Sequence, residues 1–396
     1  MKVLIVHNRY RQPGGEDAVV TREARLLRQA GHSVVEYRRS NEEARDQSSW
    51  QRLALLTRAV WSSETVRDLG RLISRERPDV AHFHNTFAMV SPSAYFACRE
   101  MGIPVVQSLH NSRLICPAAT SYRNGRACTD CLGKVVPWPG MIHGCYKGSR
   151  ISTAAVASVV TVHRWLGTWS KRIDLYIAFT DFYRRRFVEH GLPSDRVVVK
   201  PHFVHPDPGP RHREPGEYAL FVGRLDPEKG IRTVVRAWQR LRQIPLIVRG
   251  DGRLLPEMTE LVMTPGMANV KIVGRLSEDR LMAMAKGARF LLWPSEGYYE
   301  TFGLVTIEAF ACGVPVIASG LGAMAEIVQN GRTGLHFRPG DADDLAAKVE
   351  WAWTHPREMV EMGREARQEY EVKYTAERNY HMLMDIYDMA IAKARH

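Results

Sequence analysis

Long apolar runs are missing from this chain of 396 residues. The closest candidate, residues 151–166, is interrupted by two serines, a histidine and Arg164, so it is too polar to span a bilayer. The N-terminus, MKVLIVHNRY, lacks the apolar stretch and small-residue cleavage site of a secretory signal. We therefore expect a cytoplasmic protein, or one attached peripherally to the inner face of the cell membrane.

Dense basic arms are also missing, although 55 Lys and Arg against 43 Asp and Glu leave a net charge of +12. The basic runs are short, as at residues 184–186 and at Arg240 and Arg242. A positive excess favours nucleotide phosphates, nucleic acid or acidic lipid head groups as partners. Because neither a basic arm nor a zinc-finger array is present, we expect no nucleic-acid partner.

Strand-like and helix-like segments alternate in both halves of the chain. Short apolar runs typical of strands occur at 2–7, 33–37, 80–84 and 105–109, and again at 218–222, 246–249, 270–273, 290–293 and 314–318. This order predicts an α/β fold in which parallel sheets carry helices on both faces.

A Pro/Gly-rich segment, HPDPGPRHREPG at 205–216, separates the two series and predicts an interdomain connection. We therefore expect two doubly wound domains, at 1–203 and 204–375. A helix at 376–396, rich in Tyr and Met, is expected to pack back toward the first domain. Ligands of such sheets bind at the carboxyl ends of strands, and the crevice between two domains is the expected site.

Two glutamates, Glu300 and Glu308, stand eight positions apart in the run ETFGLVTIEAFACGVPVIAS. If residues 305–311 are helical, the backbone amides before them form an anion site at the helix N-terminus. These amides belong to Thr301, Phe302, Gly303 and Leu304. The alternative is a first-turn acid and a solvated helix residue without a ligand.

Two cations follow the predicted strand 218–222. Arg224 comes directly after Gly223, and Lys229 stands where the next helix opens. A planar guanidinium and a compact ammonium suit a diphosphate, although a solvated turn would have the same residues. Further along, VKIVGR ends at Gly274 and Arg275, whose backbone could hydrogen-bond a nucleobase edge.

The ordered motifs FVGRLDPEKG, VRGDGR, VKIVGRLS and YETFGLVTIEAFACGVPVIAS resemble the nucleotide-sugar-binding half of retaining family-4 glycosyltransferases, over about residues 218–340. The resemblance implies the GT-B architecture, two Rossmann-like domains facing across a cleft. It also implies that Arg224 and Lys229 hold the diphosphate, Glu308 the ribose and Glu300 the transferred sugar. Thr301 replaces the family's usual glycine and should narrow the sugar pocket.

The first half resembles the same family less specifically. Gly14 and Gly15 look like the glycine loop after the first strand, where backbone can approach donor phosphate or acceptor. His110, in SLHN, looks like the histidine that reaches the donor sugar, although it could be an ordinary strand-end histidine. His82 and His84 alternate on one strand, and we expect one to face the core and His84 to have the direct role.

The resemblance therefore supplies a complete set of expected site residues. The catalytic residues are Glu300, His110, Arg224 and Lys229. The donor-binding residues are Gly14, Gly15, Gly223, Arg224, Lys229, Gly274, Arg275, Glu300, Thr301, Phe302, Gly303, Leu304 and Glu308.

Four of the six cysteines lie in a Gly/Pro-rich loop at about 112–147. Cys128 and Cys131 form a Cys-x2-Cys pair, flanked by Cys116 and Cys145. This pattern fits a structural zinc site that would staple the loop. An iron–sulfur cluster, reduced thiols and disulfides stay open, and a cytosolic setting disfavours disulfides.

Residues 146–190 combine small and apolar residues with aromatic and basic ones. Trp165, Trp169, Lys171, Arg172 and the run 184–186 suggest a surface for an anionic membrane that carries a lipid-linked acceptor. Ordinary helix packing with a solvated face is the alternative.

The expected activity is transfer of a sugar, with retention, from a nucleoside-diphosphate sugar to a hydroxyl of a carbohydrate or lipid-linked acceptor. The expected role is bacterial cell-surface or extracellular polysaccharide assembly. No side chain is an obvious general base, and Asp341-x-Asp343 reads as a helix cap, so we expect no catalytic metal or other cofactor. The rivals are a phosphorolytic GT-B enzyme and a zinc-bearing nucleic-acid-binding protein.

Overall fold

The computed structural model describes residues 1–10, 14–44, 57–211, 216–274, 276–297 and 300–395. The chain divides into two compact units. The first contains Met1–Thr120, Thr129–Lys200 and Asn379–His396, and the second contains Ser121–Cys128 and Pro201–Arg378. The division after Lys200 lies within three residues of the boundary predicted at 203.

The strands of the described residues are, in chain order, β1 (Lys2–Arg9), β2 (Ser33–Ser40), β3 (Val80–Asn85), β4 (Val105–Ser108), β5 (Tyr122–Arg123), β6 (Arg126–Ala127), β7 (Leu175–Ala178), β8 (Val197–Val199), β9 (Tyr218–Val222), β10 (Leu246–Arg249), β11 (Val270–Val273), β12 (Ala288–Trp293), β13 (Val316–Ser319) and β14 (Gly334–Phe337).

The α-helices are α1 (Gly15–Gln29), α2 (Ser63–Glu76), α3 (Ser93–Glu100), α4 (Trp138–His143), α5 (Arg150–Trp165), α6 (Thr168–Lys171), α7 (Asp181–Glu189), α8 (Ile231–Trp238), α9 (Leu255–Val262), α10 (Glu278–Gly287), α11 (Leu304–Ala311), α12 (Gly322–Ile327), α13 (Ala342–Thr354), α14 (Pro356–Lys373) and α15 (Ala376–Ala394).

A six-stranded parallel sheet in the order β2-β1-β3-β4-β7-β8 forms the first unit. Its central strand β1 pairs with β2 on one side and with β3 on the other. Val3, Leu4, Ile5 and Val6 are fully buried, as expected for a parallel strand covered on both faces. Strands β7 and β8 were not among the predicted segments, since LYIA and VVV are too short to stand out in the sequence.

The second unit has a six-stranded parallel sheet in the order β11-β10-β9-β12-β13-β14. The strands predicted at 218–222, 246–249 and 270–273 are observed with those bounds. The strand predicted at 314–318 is Val316–Ser319, and β14 was not predicted. Together the two sheets confirm the predicted fold class of two doubly wound, Rossmann-like domains.

The C-terminal helix α15 runs from the second unit into the first. From Asn379 onward its residues belong to the first unit. There the Tyr387 hydroxyl lies 2.8 Å from His82 Nδ1, and Lys200 Nζ donates to Asn379 Oδ1 at 2.9 Å. The chain therefore completes the core of its first unit with its last helix.

A short hairpin, β5 and β6, interrupts the loop that carries the cysteines. Residues 121–128 belong to the second unit, whereas the sequence placed the whole loop at 112–147 in the first domain. Within the second unit the hairpin packs tightly on Gly297, where an added Cβ would lie 2.2 Å from the Ala127 nitrogen. The loop is therefore divided between the units because its middle packs on the second.

Two further expectations concern helices. Asp341 caps α13, because its side chain accepts hydrogen bonds from the Asp343 and Asp344 amides, which confirms the predicted cap. Within the described residues, no helix combines the length and the apolar content that crossing a membrane requires.

Candidate functional site

The two central strands of the second sheet bring Lys229 and Glu300 together. Lys229 lies in the loop after β9, and Glu300 lies in the loop after β12, the neighbour of β9. The strand order reverses between them, which makes this the switch point where doubly wound sheets bind ligands. Lys229 Nζ donates to Glu300 Oε1 at 2.5 Å, and Ser295 Oγ donates to the same oxygen at 2.8 Å.

Glu300 is held as a carboxylate. Burial alone would raise its pKa, but the charge of Lys229 and the hydrogen bonds from Lys229 and Ser295 outweigh burial, so the pKa lies below its ordinary value. Glu300 is therefore ionised at neutral pH, and Lys229 presents its ammonium at the same point.

Gly303 shapes the loop between Glu300 and helix α11. Its φ of +116° is strained for residues with a side chain, and an added Cβ would lie 2.2 Å from the Trp293 ring. The next residue begins α11, so the helix N-terminus opens beside the Lys229–Glu300 pair. Phe302 anchors the loop, since its ring is buried against His202 and Tyr374.

Glu308 lies in the second turn of α11 and is buried. The sequence had offered a solvated helix residue as the alternative, and the burial of Glu308 excludes that alternative. Thr301 and Leu304 are half-buried at the start of the helix.

Arg224 joins a different cluster from Lys229. Its side chain is 61% exposed, and its guanidinium contacts Asp226 at 2.7 Å and Glu228 at 3.7 Å. Arg253, in the loop after β10, pairs with the same two acids. Although burial would raise the pKa of Asp226, the hydrogen bond from Arg253 and the charge of Arg224 lower it.

Asp226 and Arg253 were therefore missed by the sequence reading. Asp226 stands inside the quoted motif FVGRLDPEKG, and Arg253 ends VRGDGR, but only the adjacency of β9 and β10 shows that they meet. Arg224 and Arg253 therefore pair with the buried acids Asp226 and Glu228, and Lys229 pairs with the largely buried Glu300.

The predicted glycines are spread along both sheets. Gly223 follows β9, and Gly274 is exposed after β11, two strands away from β9. Arg275 lies outside the described residues. In the first unit Gly14 precedes α1 and Gly15 is its first residue, and both are exposed after the central strand β1.

His110 stands at the end of β4 and contacts His84 at the end of β3. His110 Nε2 lies 2.9 Å from His84 Nδ1. Burial lowers the pKa of His110 to about 3, and the charge of Lys200 adds to this effect, so its ring is neutral at physiological pH.

The expectation that one of His82 and His84 faces the core and that His84 has the direct role stays a prediction. Both are buried, because β3 is covered on both faces. His82 also contacts Tyr387 and Ser108, so both its ring nitrogens have partners.

The first unit contains a cavity beside His110, of about 590 Å³ including its open mouth. Its wall is mostly apolar and aromatic, formed by Phe87, Pro92, Tyr95, Leu109, Leu114, Val159, Val160 and Trp169. Polar groups reach it from His84, Asn85, Gln107, His110, Asn111 and Arg113. The Arg113 guanidinium stacks over the Phe87 ring at 4.3 Å.

Glu23, His82 and His84 form a buried group whose possible ligand atoms lie within 4.8 Å of one another. Lys200 Nζ lies 3.8 Å from Glu23 Oε1 in the same interior. The ammonium already supplies a positive charge there, and a second cation would be repelled. We therefore assign this group to the core of the first unit.

Four cysteines were predicted to bind zinc. All six cysteines are described, and none forms a disulfide. Cys116, Cys131 and Cys145 of the first unit do not place three sulfurs within 4.8 Å of one another, whereas sulfurs around one zinc ion lie roughly 3.8 Å apart. As placed, these three thiols do not fit a zinc site, and the zinc hypothesis stays a prediction. Cys98 and Cys312 are buried, as expected.

Some of the residues that were predicted to form a membrane-binding surface at 146–190 are exposed, whereas others are buried or packed against neighbours. Trp165 is 72% exposed, but Trp169 is 7% exposed, with its indole Nε1 donating to the Val160 carbonyl. Arg184 binds the Val197 carbonyl, and Arg172 stacks over Phe96, so neither is a freely solvated cation. Trp169 and these two arginines have structural roles because their long side chains pack on neighbouring helices and strands.

Two Rossmann-like units, with charged loops at the switch point of the second, define the class of GT-B glycosyltransferases. A glycosyltransferase from Rickettsia africae has a TM-score of 0.72 to this chain, with 16% identity over 98% of each chain. HepE from Anabaena, solved with UDP-glucose, has a TM-score of 0.65, with 16% identity over 97% of this chain and 98% of its own.

Residues 13–208 match the profile of Glycosyltransferase Family 4, and residues 207–369 match that of Glycosyl transferases group 1. The chain belongs to glycosyltransferase family 4. The sulfoquinovosyl transferase SQD2 of Arabidopsis thaliana is 28% identical over 76% of this chain. The chain spans between 37% and 54% of the length of the first curated relatives it matches.

Proposed function

We propose that this protein transfers a sugar, with retention at the anomeric carbon, from a nucleoside-diphosphate sugar to an acceptor hydroxyl. The observation that carries the proposal is the Lys229–Glu300 pair at the switch point of the second sheet. It places a cation on the carboxylate of the loop that leads into the N-terminus of α11. The UDP-glucose bound by HepE is a donor of this class.

Charge stabilisation is the main chemical contribution of the second unit. Lys229, Arg224 and the amides at the start of α11 would neutralise the departing diphosphate. Glu300 would hold a hydroxyl of the transferred sugar, and Glu308 the ribose. Gly223, Gly274 and Arg275 would contact the nucleotide. The acceptor proton would leave on the departing phosphate oxygen, since these side chains include no evident base. Catalysis would then need no metal ion.

The first unit would bind the acceptor. Aromatic and aliphatic walls suit the apolar face of a sugar or the first carbons of a lipid link, and the neutral His110 can hydrogen-bond a hydroxyl. Gly14 and Gly15 would let backbone approach the ligand. The acceptor class is therefore a carbohydrate or lipid-linked hydroxyl, as used in bacterial surface polysaccharide assembly.

An exposed apolar band supports peripheral attachment to the inner face of the cell membrane. Ile151, Ser158 and Trp165 of α5 stand seven residues apart and are all exposed, which puts them along one side of the helix. Further exposed apolar residues nearby in sequence are Val135, Trp138, Ile142 and Leu166. Exposed Lys147, Arg150 and Lys171 add positive charge suited to anionic lipid.

The activity is tested by incubating the protein with a panel of UDP-, GDP- and ADP-sugars and alkyl glycosides, and measuring released nucleoside diphosphate and glycosylated product. We expect one donor to be consumed, in the presence of a chelator, and Lys229→Ala to abolish most turnover. Lys271→Ala is the matched control, because Lys271 is exposed on the edge strand β11. Turnover that requires inorganic phosphate instead would identify a phosphorolytic enzyme.

A further inference from the structure

Two neighbouring buried polar atoms of the first unit have no hydrogen-bond partners among the described residues. They are His7 Nδ1 and Glu16 Oε1, which lie 4.0 Å apart. The His7 side chain is 1% exposed, and that of Glu16 is 10% exposed. Unpaired buried polar atoms are rare and costly, so two that lie this close together call for an explanation.

The tautomer of a neutral His7 ring follows from its other neighbour. His7 Nε2 lies 3.0 Å from Asp17 Oδ1, and Asp17 Oδ2 accepts the Gly14 amide at 3.0 Å. Burial would raise the pKa of Asp17, but the bonds from His7 and Gly14 lower it, so Asp17 is ionised and can only accept. The proton of a neutral His7 ring therefore lies on Nε2, and Nδ1 presents a lone pair.

The pKa of Glu16 is shifted in the opposite direction from that of Asp17. Burial, and then the charge of Asp17, raise its pKa to about 8, so its carboxyl is largely protonated at neutral pH. It can donate one hydrogen bond and accept others. Asn111 and Arg113, which line the cavity beside His110, are among its neighbours.

A separation of 4.0 Å is too long for a direct hydrogen bond. An oxygen about 2.8 Å from each atom would donate to His7 Nδ1 and accept from Glu16. Only a group that donates and accepts at once fits this pair, and a hydroxyl is such a group. A phosphate oxygen without a proton could not donate to Nδ1.

We propose that His7 and Glu16, aligned by Asp17, form a binding subsite for one hydroxyl of the acceptor. This inference rests on the proposed transfer activity and names a recognition contact that the activity alone does not require. Glu16 and His7 are binding residues in this proposal, and Asp17 is a positioning residue that sets the His7 tautomer.

Substitutions at Glu16 and Asp17 separate this role from a structural one. Glu16→Ala removes the contact, and we expect the KM for the alkyl glycoside acceptor to rise roughly tenfold, the factor that one hydrogen bond of about 1.4 kcal/mol gives. Glu16→Gln keeps a donor and an acceptor and should recover most of the acceptor binding that Glu16→Ala loses. Asp17→Asn leaves one acceptor oxygen for two donors, His7 Nε2–H and the Gly14 amide, so the His7 tautomer is no longer fixed and the acceptor KM should rise as well. The exposed Glu100→Ala is the matched control.

Deoxy analogues of the accepted glycoside test the contact itself. One deoxy analogue should be a poor acceptor for the wild-type protein. For Glu16→Ala, the same analogue should be as good an acceptor as the parent glycoside. Donor KM should stay unchanged in all variants. An unaltered acceptor KM in Glu16→Ala, while wild type transfers sugar, overturns the subsite and leaves the transfer activity standing.

A second measurement does not depend on turnover. Long-range ¹⁵N–¹H spectra of the histidine rings, with His7 assigned through its loss in His7→Phe, report which nitrogen holds the proton. We expect Nε2–H. A proton on Nδ1 overturns the proposal even if no acceptor is ever found.

Discussion

At the scale of single residues, Lys229 keeps a buried carboxylate ionised. Glu300 would be protonated more easily by burial alone, and the ammonium of Lys229 reverses this, so its pKa is lowered. A carboxylate whose pKa is lowered by folding adds stability above its unfolded pKa, about 4.3, and loses it as the pH falls through the folded value. The pair that would bind the donor therefore also contributes to stability near neutral pH.

Lys229→Met removes the cation and leaves Glu300 buried. We expect it to destabilise the protein most at pH 7, by at most the about 3–5 kcal/mol seen when one partner of a buried pair is lost. The loss should shrink as the pH falls below the unfolded pKa of about 4.3 and through the lower folded value, because Glu300 then takes up a proton in the folded chain as well. Urea unfolding across this pH range measures it. Lys271→Met should show no such pH dependence, and an equal loss at pH 3.5 and pH 7 would contradict the account.

At the scale of elements, the loop between β12 and α11 depends on one backbone conformation. Gly303 has a positive φ and no room for a Cβ beside Trp293. This loop sets the distance between Glu300 and the start of α11. Its geometry is therefore inseparable from the packing of the strand before it.

Gly303→Ala should lower stability by more than the about 1–3 kcal/mol of a strained backbone, because the methyl group also meets the Trp293 ring. Calorimetric melting measures the loss. Gly274→Ala serves as the control for stability, since its added Cβ would meet nothing within 4 Å. Two variants with the same melting temperature would show that the loop can relax around the methyl group.

The cysteine loop is the other element with a testable chemistry. Zinc binding would require its thiols to move closer together than the described positions. The Cys-x2-Cys spacing nevertheless predicts about one zinc per chain by elemental analysis of protein purified under reducing conditions. Cys131→Ser should lower the zinc content, and Cys98→Ala should not, because Cys98 is buried in the core of the first unit. Fully active protein that contains no metal would contradict the zinc hypothesis.

At the scale of the whole molecule, the net charge and the exposed apolar residues both favour an anionic membrane surface as a partner. A charge of +12 favours anionic surfaces in general. The band on α4 and α5 adds apolar side chains that could insert between lipid head groups. In the proposed attachment, charge would bring the protein to the membrane, and the apolar band would fix which side of the first unit faces it.

Replacing Ile151 and Trp165 together by serine should weaken binding to vesicles that contain anionic phosphatidylglycerol, on the order of tenfold or more, from the lost apolar area. Co-sedimentation at low salt measures the change. Met263→Ser is the control, because Met263 is 80% exposed in the second unit. Equal loss in the control, or binding to neutral vesicles alone, would exclude the proposed surface.

The sequence alone determined the fold class and the local motifs. Apolar runs buried on both faces are readable as parallel strands without knowledge of their neighbours, and the spacing of Glu300, Gly303 and Glu308 is a local property of one loop and one helix. In the two six-stranded sheets, the strands that were not predicted are β7, β8 and β14, which are short and lie in weakly patterned sequence. The expected roles of the site residues came from the family resemblance, because the periodicity of a sequence does not show what a residue binds.

Tertiary structure decided every pairing across long sequence distances. Strand order places Lys229 against Glu300 and Arg253 against Asp226, and the fold of the first unit places His7 against Glu16. It also buried Trp169 and both His82 and His84, and it placed part of the cysteine loop in the second unit. The reason is physical: charge, burial and pKa depend on which side chains meet, and parallel strands bring together loops that are far apart in the chain.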